Sequence, residues 1–451
     1  MKTPEANRPS QPTRHCEVAE QFLFSKTEAQ PHTRAVTSRP FSIAAQVLAA
    51  FPQILAGSDF MKHALEQLEQ EPAFGALVVR ADVPPNAEDS TKADQVEKQL
   101  HIARLLDRHC NTTPGLWGLV NHNLFGCFCL APRHTVCRDM AHALQRDFHQ
   151  HTGTSVSIGY TTYPLLDYNK LQVLENAHKA LRHAAFFGPG TCTRFDAVSL
   201  NISGDEKYQT GDIEGAAQEF AMGLRLDPSD VNLYNSLGVC FGVLKQYDKA
   251  WRAFDAALQV NPHEVMALYN AGLIRSLEER HDEALDYFLK AAKQDKDCYE
   301  PVLQTGKLYL TMQNPQKARP HLEKAARLNP TDGRPFVHLG RCYHEMQLQD
   351  LAIGAFEKAI RQNPFDAEAL SFLGLLYGEK GENAEIATLF CQKSIDIEPE
   401  NGCYHSRLGK VHLKYDRLQQ ALSAFENASV RGWDATADIE KIRNRLTVKA
   451  S

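Results

Sequence analysis

The chain has 451 residues, of which 43% are apolar and 23% charged, with a formal net charge of −6. That length is enough for two or three domains with a sizeable core, and the slight acidic excess lacks the basic footprint of a nucleic-acid binder. Eleven cysteines lie scattered without a disulfide-like spacing and no secretory signal is read, so a reducing, cytoplasmic setting is expected.

Residues 1–38 are polar, carry prolines at positions 4, 9, 12 and 31, and read as a mobile tail. The uncharged stretch PFSIAAQVLAAFPQILAGS follows. It is shorter than the ~20 apolar residues a membrane span needs and contains Gln46, Pro52 and Gln53. Residues 39–58 are therefore expected to form a short helical element packed on the next domain, with no membrane span.

Residues 59–196 alternate in pattern. A helix DFMKHALEQLEQ precedes a strand FGALVVRADV, and a long helix runs from about Lys92 to Cys110. A hairpin follows, GLWGLV and LFGCFCLAP around the tight turn NHN. The helix HTVCRDMAHALQRDFHQH, the strand TSVSIGYTTYP, the helix LQVLENAHKALRHAAFF and the short strand TCTRFD complete the region. This βαββαβ order with a trailing strand predicts a ferredoxin-like α+β sandwich with helices on one sheet face.

The strand SVSIGYTTYP, followed after a spacer by ENAHKALRHAAFFGPGTCTRFD, resembles the GGDEF, or diguanylate-cyclase, family over roughly residues 60–196. The resemblance implies an enzyme condensing two GTP molecules into cyclic di-GMP, with carboxylates holding divalent metal against the triphosphate. Residue by residue, that machinery is missing. The hairpin signature falls on Asn121, His122, Asn123, Leu124 and Phe125, so Asn123 and Leu124 stand where acids are needed, and Asn121 and His122 replace two glycines that admit GTP. The first-strand metal aspartate corresponds to Arg80, with Asp82 retained two residues on. The phosphate-binding lysine and arginine fall on Ala185 and Pro189, and the product-site arginine and aspartate on Thr112 and Gly115. The domain is therefore expected to be catalytically dead, with no cofactor, no metal and no catalytic residue.

Two smaller clusters have ordinary explanations. Cys127 and Cys129 share one strand face, near Cys110, Cys137, His122 and His134 in sequence. Without a CxxC pair, buried thiols are expected rather than zinc ligands. His149 and His151 at a helix end suit its dipole.

The C-terminal half is a repeat. Glycines at 204, 238, 272, 306, 340, 374 and 409 are spaced by 34 residues, and by 35 at the last step. Alanines 216, 250, 284, 318 and 352 follow twelve residues later, and Phe220, Phe254, Phe288, Leu322 and Phe356 sixteen residues later. Pro228, Pro262, Pro330 and Pro364 close their units. Glycine and alanine let two helices approach, the aromatic fills space between units, and proline stops the second helix. The period and closing proline resemble the tetratricopeptide repeat. Seven units are expected over residues 197–434, with an extra residue in the sixth turn near Gly381–Asn383, and a capping helix and tail over residues 435–451. The junction Asp196–Ala197 leaves no linker, so the final strand should run into the first repeat helix.

Stacked repeats of this kind bind partner segments on a concave face lined by each unit's first helix. The register points Asn201, Asn235, Asn270, Gln304 and His338 inward, with Lys307, Arg341 and Lys410 a turn along and His344 and Arg407 nearby. The amides suit an extended peptide and the cations an acidic one. The expected function is a non-enzymatic protein-protein interaction scaffold or adaptor, with bacterial signalling as the setting considered. The alternatives are a GTP or cyclic di-GMP sensor and, less favoured, an active cyclase with rearranged ligands.

Overall fold

A computed structural model describes residue 22 and residues 41–82, 92–130, 134–381 and 383–450. It divides into two compact units, Met1–Pro262 and His263–Ser451. Apart from Phe22, the tail expected over residues 1–38 lies outside the described residues.

The first unit opens with helices α1 (Phe41–Ala50) and α2 (Gly57–Leu68), then strand β1 (Phe74–Ala81) and helix α3 (Lys92–Thr112). The hairpin strands β2 (Gly115–Asn121) and β3 (Leu124–Cys129), helix α4 (His134–Thr152), β4 (Val156–Tyr163), α5 (Gln172–Ala184) and β5 (Cys192–Arg194) follow. The strands form one sheet in the order β2-β3-β1-β4-β5, antiparallel except for the β4–β5 pair.

Helices cover both faces of this sheet, which corrects the expectation of one covered face. Leu77 and Val79 of β1 pack with Ile102 and Leu106 of α3 and with Leu144 and Phe148 of α4. Phe74, Ala76 and Val78, which point the other way, pack with Phe60 and Leu68 of α2 and with Leu174 and Leu181 of α5. The physical reason is visible in β1, whose residues 74–79 are all buried. A strand buried on both faces reads as a continuous apolar run, whereas one-sided burial produces alternation. The segment around α1 joins the first of these cores through Val47, and Phe51 meets Trp117 edge-on at 5.3 Å between ring centroids.

The thiols of Cys127, Cys129 and Cys137 are buried in that same core, with Cys110 at its margin and its sulfur 3.5 Å from that of Cys127. Among the described residues no group of three or more His, Cys, Asp or Glu is placed to hold a metal ion. At the end of α4, Nδ1 of His151 donates to the Asp147 carbonyl at 2.7 Å.

Helical hairpins fill the rest of the chain. The first unit contains α6 (Ala197–Gln209) with α7 (Ile213–Leu226), and α8 (Val231–Val243) with α9 (Tyr247–Val260). The second contains α10 (Val265–Leu277) with α11 (His281–Gln294), α12 (Tyr299–Thr311) with α13 (Pro315–Leu328), and α14 (Arg334–Glu345) with α15 (Gln349–Gln362). It continues with α16 (Ala367–Lys380) and α17 (Ala384–Ile397), α18 (Gly402–Lys414) and α19 (Leu418–Val430), and α20 (Thr436–Ala450). Ile442 of α20 is buried against Leu418 and Phe425 of α19.

Each repeat glycine except Gly374, which faces Cys391, lies against the large residue of its own hairpin. A β-carbon built on Gly340 would lie 2.6 Å from the Phe356 ring, and one on Gly306 the same distance from Leu322. The aromatic also reaches the following unit, since Phe356 stacks on Phe372 with centroids 4.9 Å apart. Asp227, Asn261, Asn329 and Asn363, each followed by proline, carry ψ values of 84–96°. The helix ends there because the proline ring clashes with an α-region predecessor.

Candidate partner-binding face of the repeats

In the second unit, the first helices carry the chemistry. Asn270, Gln304, His338, Phe372 and Arg407 occupy one register position in successive units, and Lys307, Arg341 and Lys410 stand three residues further along their own helices. Residues three apart share a helix face.

Around His338 the cations concentrate. Burial lowers its pKa to about 3, helped by the neighbouring charges of Lys307, Arg341 and Arg334 and opposed by Asp332. The ring is therefore neutral near pH 7, and its buried Nδ1 has no hydrogen-bond partner among the described residues. The Lys307 ammonium is held below its ordinary pKa by desolvation and then by Arg334 and Arg341, with Glu368 opposing. Arg341 lies 3.6 Å from Glu368. Arg334 is held by Asp332, which accepts from its Nε at 2.8 Å and from the Tyr299 hydroxyl at 2.9 Å.

Further along, the Arg407 guanidinium lies 3.6 Å from the centroid of the Phe372 ring, a cation–π arrangement. Its buried Nη1 has no hydrogen-bond partner among the described residues. His344 meets the same ring at 5.4 Å, T-shaped, and burial lowers its pKa, with Glu379 opposing and Arg407 and Lys410 reinforcing. Lys410 is exposed.

The predicted residues thus separate into two groups. Lys307, His338, Arg341, His344, Arg407 and Lys410 come together on the second unit as a cationic and aromatic face. Gln304 is half-buried and hydrogen-bonded to Tyr269. Asn270 of this unit is buried, as are Asn201 and Asn235 of the first unit. The sequence reading missed Arg334 and Phe372. The signal for Phe372 was present, since it fills the register position of His338; Arg334 gave none beyond its place at a helix start.

In the sheet domain, Asn121, His122 and Asn123 are exposed at the hairpin turn, where Asn121 Oδ1 accepts from the Asn123 backbone at 3.1 Å. The Asp82 carboxylate is fully engaged. It accepts from Ser155 Oγ at 2.7 Å, Ser157 Oγ at 2.6 Å and the Gly190 backbone at 2.7 Å. Its oxygens fasten β1 to β4 and to the approach of β5. Arg80 is half-buried on β1 and adds its charge to that of Arg182 beside His178, whose pKa falls to about 4, chiefly through burial.

Stacked helical hairpins of this period define a helical-repeat protein. The model of the tetratricopeptide repeat matches residues 242–297, 303–367 and 346–402, so this part of the chain consists of tetratricopeptide repeats. Among solved structures, the chain is similar to YrrB, described as a tetratricopeptide protein with an unusual peptide-binding site. The identity is 25% over 42% of this chain and 96% of that one, with a TM-score of 0.37. It is similar also to a tetratricopeptide repeat protein of Parabacteroides merdae, at 18% identity over 55% and 96% of the two chains and a TM-score of 0.42. For PilF of Pseudomonas aeruginosa the identity is 20%, the shares 49% and 96%, and the TM-score 0.42. No curated protein matches the chain.

Proposed function

We propose that this chain is a non-enzymatic scaffold whose repeats capture an acidic protein segment on the first-helix face of residues 263–451. The carrying observation is the cluster of Lys307, Arg334, Arg341, Arg407 and Lys410 around a neutral His338 and the Phe372 ring, in a chain whose net charge is −6. Arginine forks pair with carboxylates in a bidentate way, and a partner's apolar side chain finds Phe372 beside them. Arg341 and Arg407 are half-buried, and a carboxylate desolvated against them gains more than it would beside a fully exposed cation.

On this reading the sheet domain, with its resemblance to a GGDEF fold, is a structural module. The engagement of Asp82 by two serines and a backbone amide supports that role, as does the exposed Asn121–Asn123 turn. The same features weigh against sensing of GTP or cyclic di-GMP and against cyclase activity. A cytoplasmic signalling setting suits the free cysteines among the described residues.

The test is fluorescence anisotropy of the full chain with a labelled Asp/Glu-rich peptide and its Asn/Gln counterpart. Saturable, salt-sensitive binding of the acidic peptide alone is expected. Lys307→Ala with Arg341→Ala should weaken it about tenfold, or about 1.4 kcal/mol. Equal binding of the two peptides would overturn the reading.

A further inference from the structure

Phe22 lies far from the repeats in sequence but against the second of them in space. Its side chain is 5% exposed. Its ring stacks on that of Phe254 in α9, with centroids 6.4 Å apart and planes inclined by 25°. The three nearest atoms that a β-carbon on Gly242 would meet all belong to the Phe22 ring, the closest at 2.4 Å. Gly242 thus leaves the space in which the ring sits.

The repeat itself does not ask for glycine there. Four residues after each repeat glycine stand Tyr208, Gly242, Ser276, Leu310, His344, Gly378 and Leu413. The one other glycine, Gly378, makes room for Val411 of its neighbouring repeat. At Gly242 the space is filled by Phe22. Gly242 also stands seven residues, or about two turns, beyond Asn235 on α8, so it shares the helix face that the repeat register assigns to partner binding.

We propose that Gly242 and Phe254 form a phenylalanine-accepting slot on the second repeat, and that Phe22 is its intrachain occupant. A partner peptide that brings an aromatic anchor to this repeat must displace Phe22 first. The slot needs no acidic partner and no residue of the second unit, so it stands apart from the cationic face; only the consequence for partner access rests on the repeats being a binding surface.

The test uses the full chain and a fluorescent synthetic peptide of residues 17–28, EVAEQFLFSKTE. The Phe22→Ala chain, with its slot vacated, should bind the peptide saturably. The wild-type chain should bind it about tenfold more weakly or worse, because a tethered occupant competes at an effective concentration of roughly millimolar. Adding Gly242→Ala to Phe22→Ala should abolish binding, since the new methyl group occupies the ring's space. Alanine is the better helix former, so an unchanged thermal melt of that variant would assign the loss to the slot. Equal binding by the wild-type and Phe22→Ala chains, no binding by Phe22→Ala, or undiminished binding after Gly242→Ala would each overturn the proposal. The acidic probe of the cationic face, run on the same variants, reports separately whether that face binds.

Discussion

The Lys179 ammonium lies 2.8 Å from both carboxylate oxygens of Glu219, and both side chains are buried. The pair fastens α5, which packs on the sheet, to α7, the second helix of the first repeat. Lys207 of α6 donates to the same carboxylate at 2.8 Å. Beside it, Asp196 caps α6 by accepting from the Ser199 backbone and lies 3.3 Å from His183 of α5. Removing one member of a buried pair strands the other charge, at a cost of about 3–5 kcal/mol, whereas replacing both with apolar residues is often neutral. Glu219→Leu should therefore lower stability to urea by about 3 kcal/mol, and Lys179→Met with Glu219→Leu should recover most of it. If the single variant matches the wild type, the pair contributes nothing.

Between the two helices of each hairpin, one residue adopts a left-handed backbone. It stands seven residues after the repeat glycine each time: Lys245, Glu279, Gln313, Gln347 and Asp416 have φ between 55° and 60°, and Gly211 and Gly381 have φ of 87° and 77°. Residues with a β-carbon are strained there, and glycine is not. Gln347→Gly should raise stability by roughly 0.5–1 kcal/mol, and Gly381→Ala should lower it by about 1 kcal/mol, in paired thermal melts.

The repeat glycines test the opposite effect. Gly340→Ala drives a methyl group into the Phe356 ring and should cost about 1–3 kcal/mol despite its better helix propensity. Gly354, in α15 of the same repeat, has nothing within 4 Å of a built β-carbon, so Gly354→Ala should stabilise by up to about 1 kcal/mol. Chemical denaturation of the two variants should move in opposite directions.

His338 makes stability depend on pH. Its folded pKa of about 3 lies below the ordinary 6.5, so between those values the unfolded chain binds the extra proton. Stability then rises with pH across that window and is complete above the unfolded pKa. Acidification from pH 7 to pH 5 should remove at most about 2 kcal/mol through this residue. His338→Gln, which places the side chain of Gln304 at the same register, should flatten the dependence of the urea midpoint on pH. An unchanged slope would show that His338 is not the responsible group.

The glycine–alanine–aromatic period located the helical hairpins because all three positions act within one hairpin, at separations set by helix geometry. The left-handed turn was hidden: lysine, glutamate and glutamine are ordinary helix formers, and only Gly211 and Gly381 advertise it. The sheet was misjudged on one point. The run from Phe74 to Val79 signalled burial on both sides, but the element order suggested a single covered face. The proposed binding face was half legible, because the register pointed to Lys307, Arg341 and Arg407 yet gave no weight to an aromatic at Phe372.

Periodicity, then, decides which residues share a helix face, since that depends only on 3.6 residues per turn and local sterics. It does not decide which distant side chains meet. Lys179 with Glu219, Asp82 with Ser155 and Ser157, and Phe22 with Gly242 are pairs joined by packing of separate elements. Charge and shape act through distance in space, and only the assembled tertiary structure sets that distance.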